Sequence, residues 1–324
     1  MSQKKILYVY EERIPYPLQK MVIKKIKLEN FILRKMTYRT SKSQQKKLFK
    51  WCDAAFFAPG RYIDKETIKE ANKCKIFQLW SSGYEKFNWK SAKKFKIPLC
   101  TNGSQNNIAV AEHAMMLMLC LSKKILHFNK ITKLGKWKNN SHGLDLFELK
   151  NKDIGIFGLG KIGLYFAKLC KSFGMNVYYY DLVRKKIYEK RHGFKYMSKN
   201  SLLKKCKIFS LHLHLNNKTK NYLNIKNLKK IQKGSMIINV SRAQLIEQEA
   251  LIKYLKNGII SSLGIDAHYM EPTKKNDKLL SLPNVICTPH TAGSTKDTYE
   301  RVINICINNI KSMLTKKKCN FRVF

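Results

Sequence analysis

The sequence predicts an α/β fold built as two doubly wound domains, and three observations predict it. Short β-like runs alternate with helix-like stretches along nearly the whole chain, the pattern of parallel sheets with crossover helices. The 324 residues are long for one hydrophobic core and comfortable for two. The stretch Ile154-Gly155-Ile156-Phe157-Gly158-Leu159-Gly160-Lys161-Ile162-Gly163 sets a glycine-rich turn between a β run and a helix-like segment.

Taken in order, residues 1 to about 100 hold β-like runs at 6–10, 31–34, 54–57, 75–79 and 97–100, with helices near 17–28, 42–51 and 64–72. The N-terminal apolar run is closed by Glu11 and Glu12, so it reads as a first strand rather than a signal peptide. An apolar helix is expected over 108–128, its stripe Met115-Met116-Leu117-Met118 packing into a core or a subunit interface. The segment 135–150 is polar and loop-like. Six strands follow at 154–157, 177–180, 208–213, 236–240, 263–266 and 285–288, with helices between them, which makes a doubly wound nucleotide-binding domain. A closing helix from about 295 to 314 would carry the chain back to the first domain, with no further domain after it.

Composition narrows the function. The longest apolar run, 114–121, has eight residues, far short of the ~20 needed to span a membrane. The nine cysteines are scattered, with no CxxC pair and no Cys/His cluster at zinc spacing, so reduced thiols in a cytoplasmic setting and no structural metal are expected. The formal charge is +43, yet only nine of the 64 basic residues are arginine and the lysines are spread along the chain. A selected nucleic-acid face favours arginine in a localised patch, so no specific nucleic-acid partner is expected. The surface will still attract small anions, and polyanions at low salt.

The glycine turn carries the first chemical signal. Gly158 suits the tight turn, Gly160 lets backbone approach a pyrophosphate, and Gly163 lets helix and strand pack closely. The helix N-terminus offers free N–H groups and partial positive charge to the same anion. Asp181 closes the next β run eighteen residues past Gly163, where an acid binds the two hydroxyls of an adenine ribose and repels a 2′-phosphate. The expected cofactor is therefore NAD, with Gly158, Gly160, Lys161, Ile162, Gly163 and Asp181 as contacts. Arg184, three residues on, is the one side chain that could soften this preference.

Three further segments fall at the ends of expected strands: Asn239-Val240-Ser241-Arg242, Gly264-Ile265-Asp266-Ala267-His268-Tyr269-Met270-Glu271-Pro272, and Thr288-Pro289-His290-Thr291-Ala292-Gly293. Doubly wound folds put their ligands there. A keto acid that accepts hydride must also gain a proton, and His290 is the group that titrates near neutrality. Its carboxylate wants a planar two-pronged donor, which Arg242 provides better than any lysine. Glu271 can bond the far ring nitrogen of His290, fixing its tautomer and favouring the protonated ring. His113, His212 and His214 read as packing or backbone-bonding residues, and His268 lies close enough to line the site.

In this order and spacing the chain resembles the D-isomer-specific 2-hydroxyacid dehydrogenases over nearly its whole length. Besides the segments above, it shows Val110-Ala111-Glu112-His113-Ala114, Gly135-Lys136-Trp137, and Ser210-Leu211-His212-Leu213 with Thr219 downstream. The resemblance implies a Rossmann-type nucleotide-binding domain, 102–294, inserted into a smaller flavodoxin-like substrate domain, 1–101 with 295–324. It implies catalytic roles for Arg242, Glu271 and His290 and a contact between Asp266 and the nicotinamide carboxamide. It also implies a substrate loop at Ser81-Ser82-Gly83-Tyr84, where Ser82 and Gly83 join Arg242 in holding the carboxylate. The substrate would be a small 2-hydroxy or 2-keto acid such as glyoxylate or hydroxypyruvate, and the protein a homodimer. The chain departs from the family at Ala243, His214, Glu85, Asn88 and Ala267-His268, none of which removes a catalytic group. A phosphoglycerate- or phosphite-type dehydrogenase of the same superfamily, or a corepressor-like protein that senses NAD, stays open.

Overall fold

The computed structural model describes residues 3–137 and 140–324; positions 1 and 2 of the N-terminal run and 138 and 139 of the expected 135–150 loop lie outside the described residues. In chain order the first part holds β1 (Lys5–Tyr10), α1 (Tyr16–Leu28), β2 (Ile32–Thr37), α2 (Lys42–Trp51), β3 (Ala54–Ala58), α3 (Lys65–Lys69), β4 (Phe77–Leu79), α4 (Trp89–Lys94) and β5 (Leu99–Cys100). Helix starts follow local chemistry. Asp64 accepts the Thr67 N–H at 2.8 Å and Asn88 accepts the Ser91 N–H at 3.3 Å, capping α3 and α4.

Next come α5 (Asn107–Ser122) and α6 (Ile125–Lys133), then β6 (Asp153–Phe157), α7 (Lys161–Ser172), β7 (Asn176–Tyr180), α8 (Lys186–His192), β8 (Lys195–Tyr196), α9 (Lys199–Lys205) and β9 (Ile208–Leu211). The chain ends with α10 (Ile225–Leu228), β10 (Ser235–Asn239), α11 (Gln248–Lys256), β11 (Ile260–Ile265), β12 (Val285–Cys287) and α12 (Lys296–Leu314). Two expectations are corrected here. The single helix over 108–128 is two helices, because Lys124 takes a left-handed conformation at φ 50° and ends the run where the apolar stripe stops. The second sheet has seven strands rather than six, the addition being β8, two residues without an apolar signature.

The chain divides into two compact units, Met1–Asn106 with Thr295–Phe324, and Asn107–Ser294. The first unit's sheet runs β2-β1-β3-β4-β5, all parallel, the flavodoxin-like order. Successive residues of β1 point to opposite faces, and both faces are dry: Leu7 and Val9 pack with Phe49, Phe57 and Phe77, while Ile6 and Tyr8 pack with Phe56. The second face is closed by α12 through Val302, Ile303, Cys306, Ile307 and Ile310, each aliphatic side chain worth about 1.5–3 kcal/mol of burial.

The second unit's sheet runs β12-β11-β10-β9-β6-β7-β8, again all parallel. The order reverses between β6 and β9, the switch point of a doubly wound sheet. Residues of α5 and α7, among them Leu117, Met118, Phe166 and Ala167, cover one face, and Met115 and Met118 of the methionine stripe are buried in this core. Register brings the strand ends into line. Tyr180, Phe157, Leu211, Asn239, Ile265 and Cys287 stand as neighbours across six strands. The segments after them therefore leave the sheet along one edge.

All nine cysteines are thiols, seven of them buried. Among the described residues no helix is long and apolar enough to cross a membrane, and no group of three or more His, Cys, Asp or Glu could hold a metal ion.

Candidate active site

The glycine turn follows Phe157 directly. The ladder continues one step past β6, with Gly158 N–H donating to Tyr180 O at 2.8 Å. Gly158 has φ +93°, which a side chain would strain, and an added Cβ would meet His212 O at 2.7 Å. Gly163 allows the close approach of α7: its Cβ would lie 2.0 Å from Gly158 O. Beside Gly160 nothing lies within 4 Å, so this backbone faces open space at the head of a twelve-residue helix whose N-cap has no side-chain partner. These are the properties a pyrophosphate cradle needs. Lys161 is exposed and Ile162 half-buried in the first turn. Asp181 begins where β7 ends, and its carboxylate accepts Leu159 N–H at 2.7 Å, tying this acid to the glycine loop. The residues present fit a dinucleotide.

On the other side of the switch point, Arg242 follows β10. Its segment is held by short-range bonds: Ser241 Oγ donates to Leu211 O at 2.7 Å, and Asn239 Nδ2 donates to Arg242 O at 2.9 Å. The guanidinium donates to Ser241 O at 2.8 Å and is half-buried. His290 and Glu271 meet directly. His290 Nδ1 donates to Glu271 Oε1 at 2.7 Å, with the imidazole 43% and the carboxylate 26% exposed, so the pair is open to a ligand. Glu271 also accepts the His268 N–H at 3.2 Å.

His290 adopts φ 57°, a left-handed backbone that side-chain-bearing residues avoid. Three groups hold the turn around it. The buried Asp266 carboxylate accepts Thr288 Oγ1 at 2.6 Å and the N–H groups of Thr291 and Ala292, each at 2.9 Å. His113, from α5, lies with Nε2 2.9 Å from Thr288 Oγ1. The Thr288 hydroxyl has one proton and gives it to the carboxylate, so His113 Nε2 must be the donor in that contact. Burial outweighs the nearby Asp266 and lowers the His113 pKa, which favours the neutral ring. His268, buried, donates Nε2 to Thr288 O at 2.8 Å.

Asp266, expected at the nicotinamide, thus spends three acceptor sites on the 288–292 turn. Thr288, His113 and His268 position that turn: the sequence puts His268 near the site and gives His113 a packing or backbone-bonding role, whereas Thr288 stands in its segment without a role of its own. His212 is half-buried with its ring against Phe166 and Nε2 2.9 Å from Ser210 Oγ, and loss of solvent around the ring lowers its pKa to about 3. Ser82 and Gly83 follow β4 in the first unit, whereas Arg242, Glu271 and His290 belong to the second. Ser82 Oγ bonds Asn102 Oδ1 and accepts the Ser104 N–H at 3.1 Å, and Ser81 Oγ donates to Gly83 O at 2.6 Å, so the loop has a defined shape.

The family model described as D-isomer specific 2-hydroxyacid dehydrogenase, NAD binding domain, matches residues 115–292. A glyoxylate reductase of Thermococcus litoralis is 32% identical over 253 residues, covering 76% of this chain and 76% of that protein. A hydroxypyruvate reductase of Blautia hydrogenotrophica is 28% identical over 262 residues, covering 80% of this chain and 81% of that one. In fold, a solved glyoxylate reductase from Paecilomyes thermophila superposes with a TM-score of 0.84 at 24% identity, over 100% of this chain and 99% of that chain.

Proposed function

The chain belongs to the D-isomer specific 2-hydroxyacid dehydrogenase family, and on that premise we propose that it is an NAD-dependent oxidoreductase interconverting a small D-2-hydroxy acid and its 2-keto partner. Glyoxylate and hydroxypyruvate are the first substrates to expect, since similar proteins carry those names. The observation that carries the reading is the 2.7 Å bond between His290 and Glu271 on the sheet edge that also bears Arg242 and the glycine turn.

Gly158, Gly160, Lys161, Ile162 and Gly163 would hold the pyrophosphate, Asp181 the adenosine ribose, and Asp266 the edge of the nicotinamide through its remaining acceptor capacity. A bound reduced nicotinamide supplies the hydride. The chain's own work is to orient the acid and manage one proton. Arg242 grips the carboxylate with two parallel N–H bonds and draws electron density from the carbonyl. Glu271 accepts the hydrogen bond from Nδ1–H, which keeps that proton on the ring, so the proton passed to the carbonyl oxygen leaves from Nε2 of His290. In the oxidative direction Nε2 takes that proton back.

The same reading has the enzyme act in the cytoplasm as a homodimer. Met116, Ile125, Leu126 and Leu134 are exposed apolar side chains on or beside α5 and α6, a face suited to a second copy.

The test is oxidation of NADH and of NADPH against glyoxylate, hydroxypyruvate, pyruvate and longer 2-keto acids, followed by absorbance loss. Turnover with NADH on at least one short 2-keto acid is expected. NADH binding with no turnover on any of them would favour a corepressor-like sensor instead.

A further inference from the structure

Arg184 follows Asp181 by three residues, in the turn that leads from β7 to α8. This turn folds back on the acid, with Val183 N–H reaching Asp181 Oδ1 at 3.4 Å. In doubly wound nucleotide-binding domains an arginine near the ribose-binding acid accommodates a 2′-phosphate, and a planar two-pronged donor is the best side chain for phosphate. On sequence alone Arg184 would therefore favour NADPH.

The guanidinium is already engaged. Nε donates to Glu189 Oε1 at 2.8 Å and Nη2 to Glu189 Oε2 at 2.7 Å, a two-pronged pair that takes one edge of the guanidinium and sets a carboxylate against its charge. Its Cζ lies 5.4 Å from the centre of the Tyr196 ring on β8, so stacking holds the same pose. Glu189 is itself held: it is 17% exposed, Tyr179 Oη donates to its Oε1 at 2.8 Å, and Tyr179 Oη in turn accepts the Lys185 N–H at 2.7 Å. The arrangement is anchored on a buried ring and turns a 2′-phosphate receptor into an occupied pair.

We propose that Glu189 is a specificity-determining residue, which selects NAD over NADP by withdrawing Arg184 from the cofactor's 2′ position. Asp181 repels the phosphate, and Glu189 holds and offsets the charge of the one guanidinium that would attract it. This deepens the NAD reading and rests on it.

The test is calorimetric titration of the full chain with NADH and with NADPH, for the wild type, Glu189→Ala, Glu189→Gln, Arg184→Gln and the Arg184→Gln/Glu189→Ala double variant. The wild type should prefer NADH. Glu189→Ala should bind NADPH about tenfold more tightly than the wild type, the scale of one charge-assisted contact, with NADH affinity little changed. Glu189→Gln, which keeps a single bond to the arginine, should fall between. The double variant should lose the gain, and Arg184→Gln alone should leave both affinities near wild type. A purely structural role for Glu189 would move both cofactors together. Unchanged NADPH affinity in Glu189→Ala beside normal NADH binding would overturn the lock alone. A wild type that binds no NADH would overturn the cofactor reading and the lock with it.

Discussion

His290 is held in an uncommon backbone state, and the turn around it is braced by its neighbour Thr288 together with residues far away in sequence. Asp266, Thr288, His113 and His268 come from three elements and close on one turn. Such a brace is invisible in sequence, because nothing in the spacing of 113, 266 and 288 says that they touch. The reacting groups were easier to read. Arg242 and His290 follow apolar runs, Glu271 lies in the loop after another, and each is the residue type its step requires. Arg242→Lys should keep the charge and lose the fork, raising KM for the keto acid by about 10- to 100-fold, with cofactor affinity unchanged. Steady-state kinetics beside an NADH titration checks both halves of that statement.

At the scale of elements, the glycine turn separates what the fold needs from what the ligand needs. Gly163→Ala drives a Cβ to 2.0 Å from Gly158 O and should cost at least about 2 kcal/mol of stability, read from denaturant unfolding. Gly160→Ala meets open space, so its stability should stay near wild type while NADH binding weakens. His212 makes the end of β9 sensitive to acid. Its native pKa of about 3 lies below the ordinary 6.5, so the unfolded chain binds a proton there that the folded chain refuses. Above pH ~6.5 the site has no effect, and below it stability should fall by about 1.4 kcal/mol per pH unit until pH ~3. Between pH 7 and pH 5 the wild type should lose about 2 kcal/mol more than His212→Asn in guanidinium unfolding; equal losses would remove His212 as the cause. Most strands of both sheets could be read from their β-branched and aromatic runs, as could the long apolar helices. The break at Lys124 could not, since no glycine or proline announces it, and β8 could not, since two residues carry no period.

At the scale of the molecule, the topology was legible because alternating strands and helices admit few arrangements, and right-handed crossovers with a glycine turn after β6 narrow them further. The excess of 43 positive charges is spread along the chain rather than gathered in one run. It draws anions in general, whereas the recognition described above depends on single forks, acids and N–H groups with defined partners. The account as a whole rests on one residue handling the proton of a keto-acid reduction. The most direct measurement is kcat for reduction of the preferred 2-keto acid by wild type and His290→Ala, with NADH affinity taken on the same samples. The account predicts a loss of about 10²–10⁴-fold in kcat with NADH affinity preserved. Turnover by His290→Ala at the wild-type rate would contradict it.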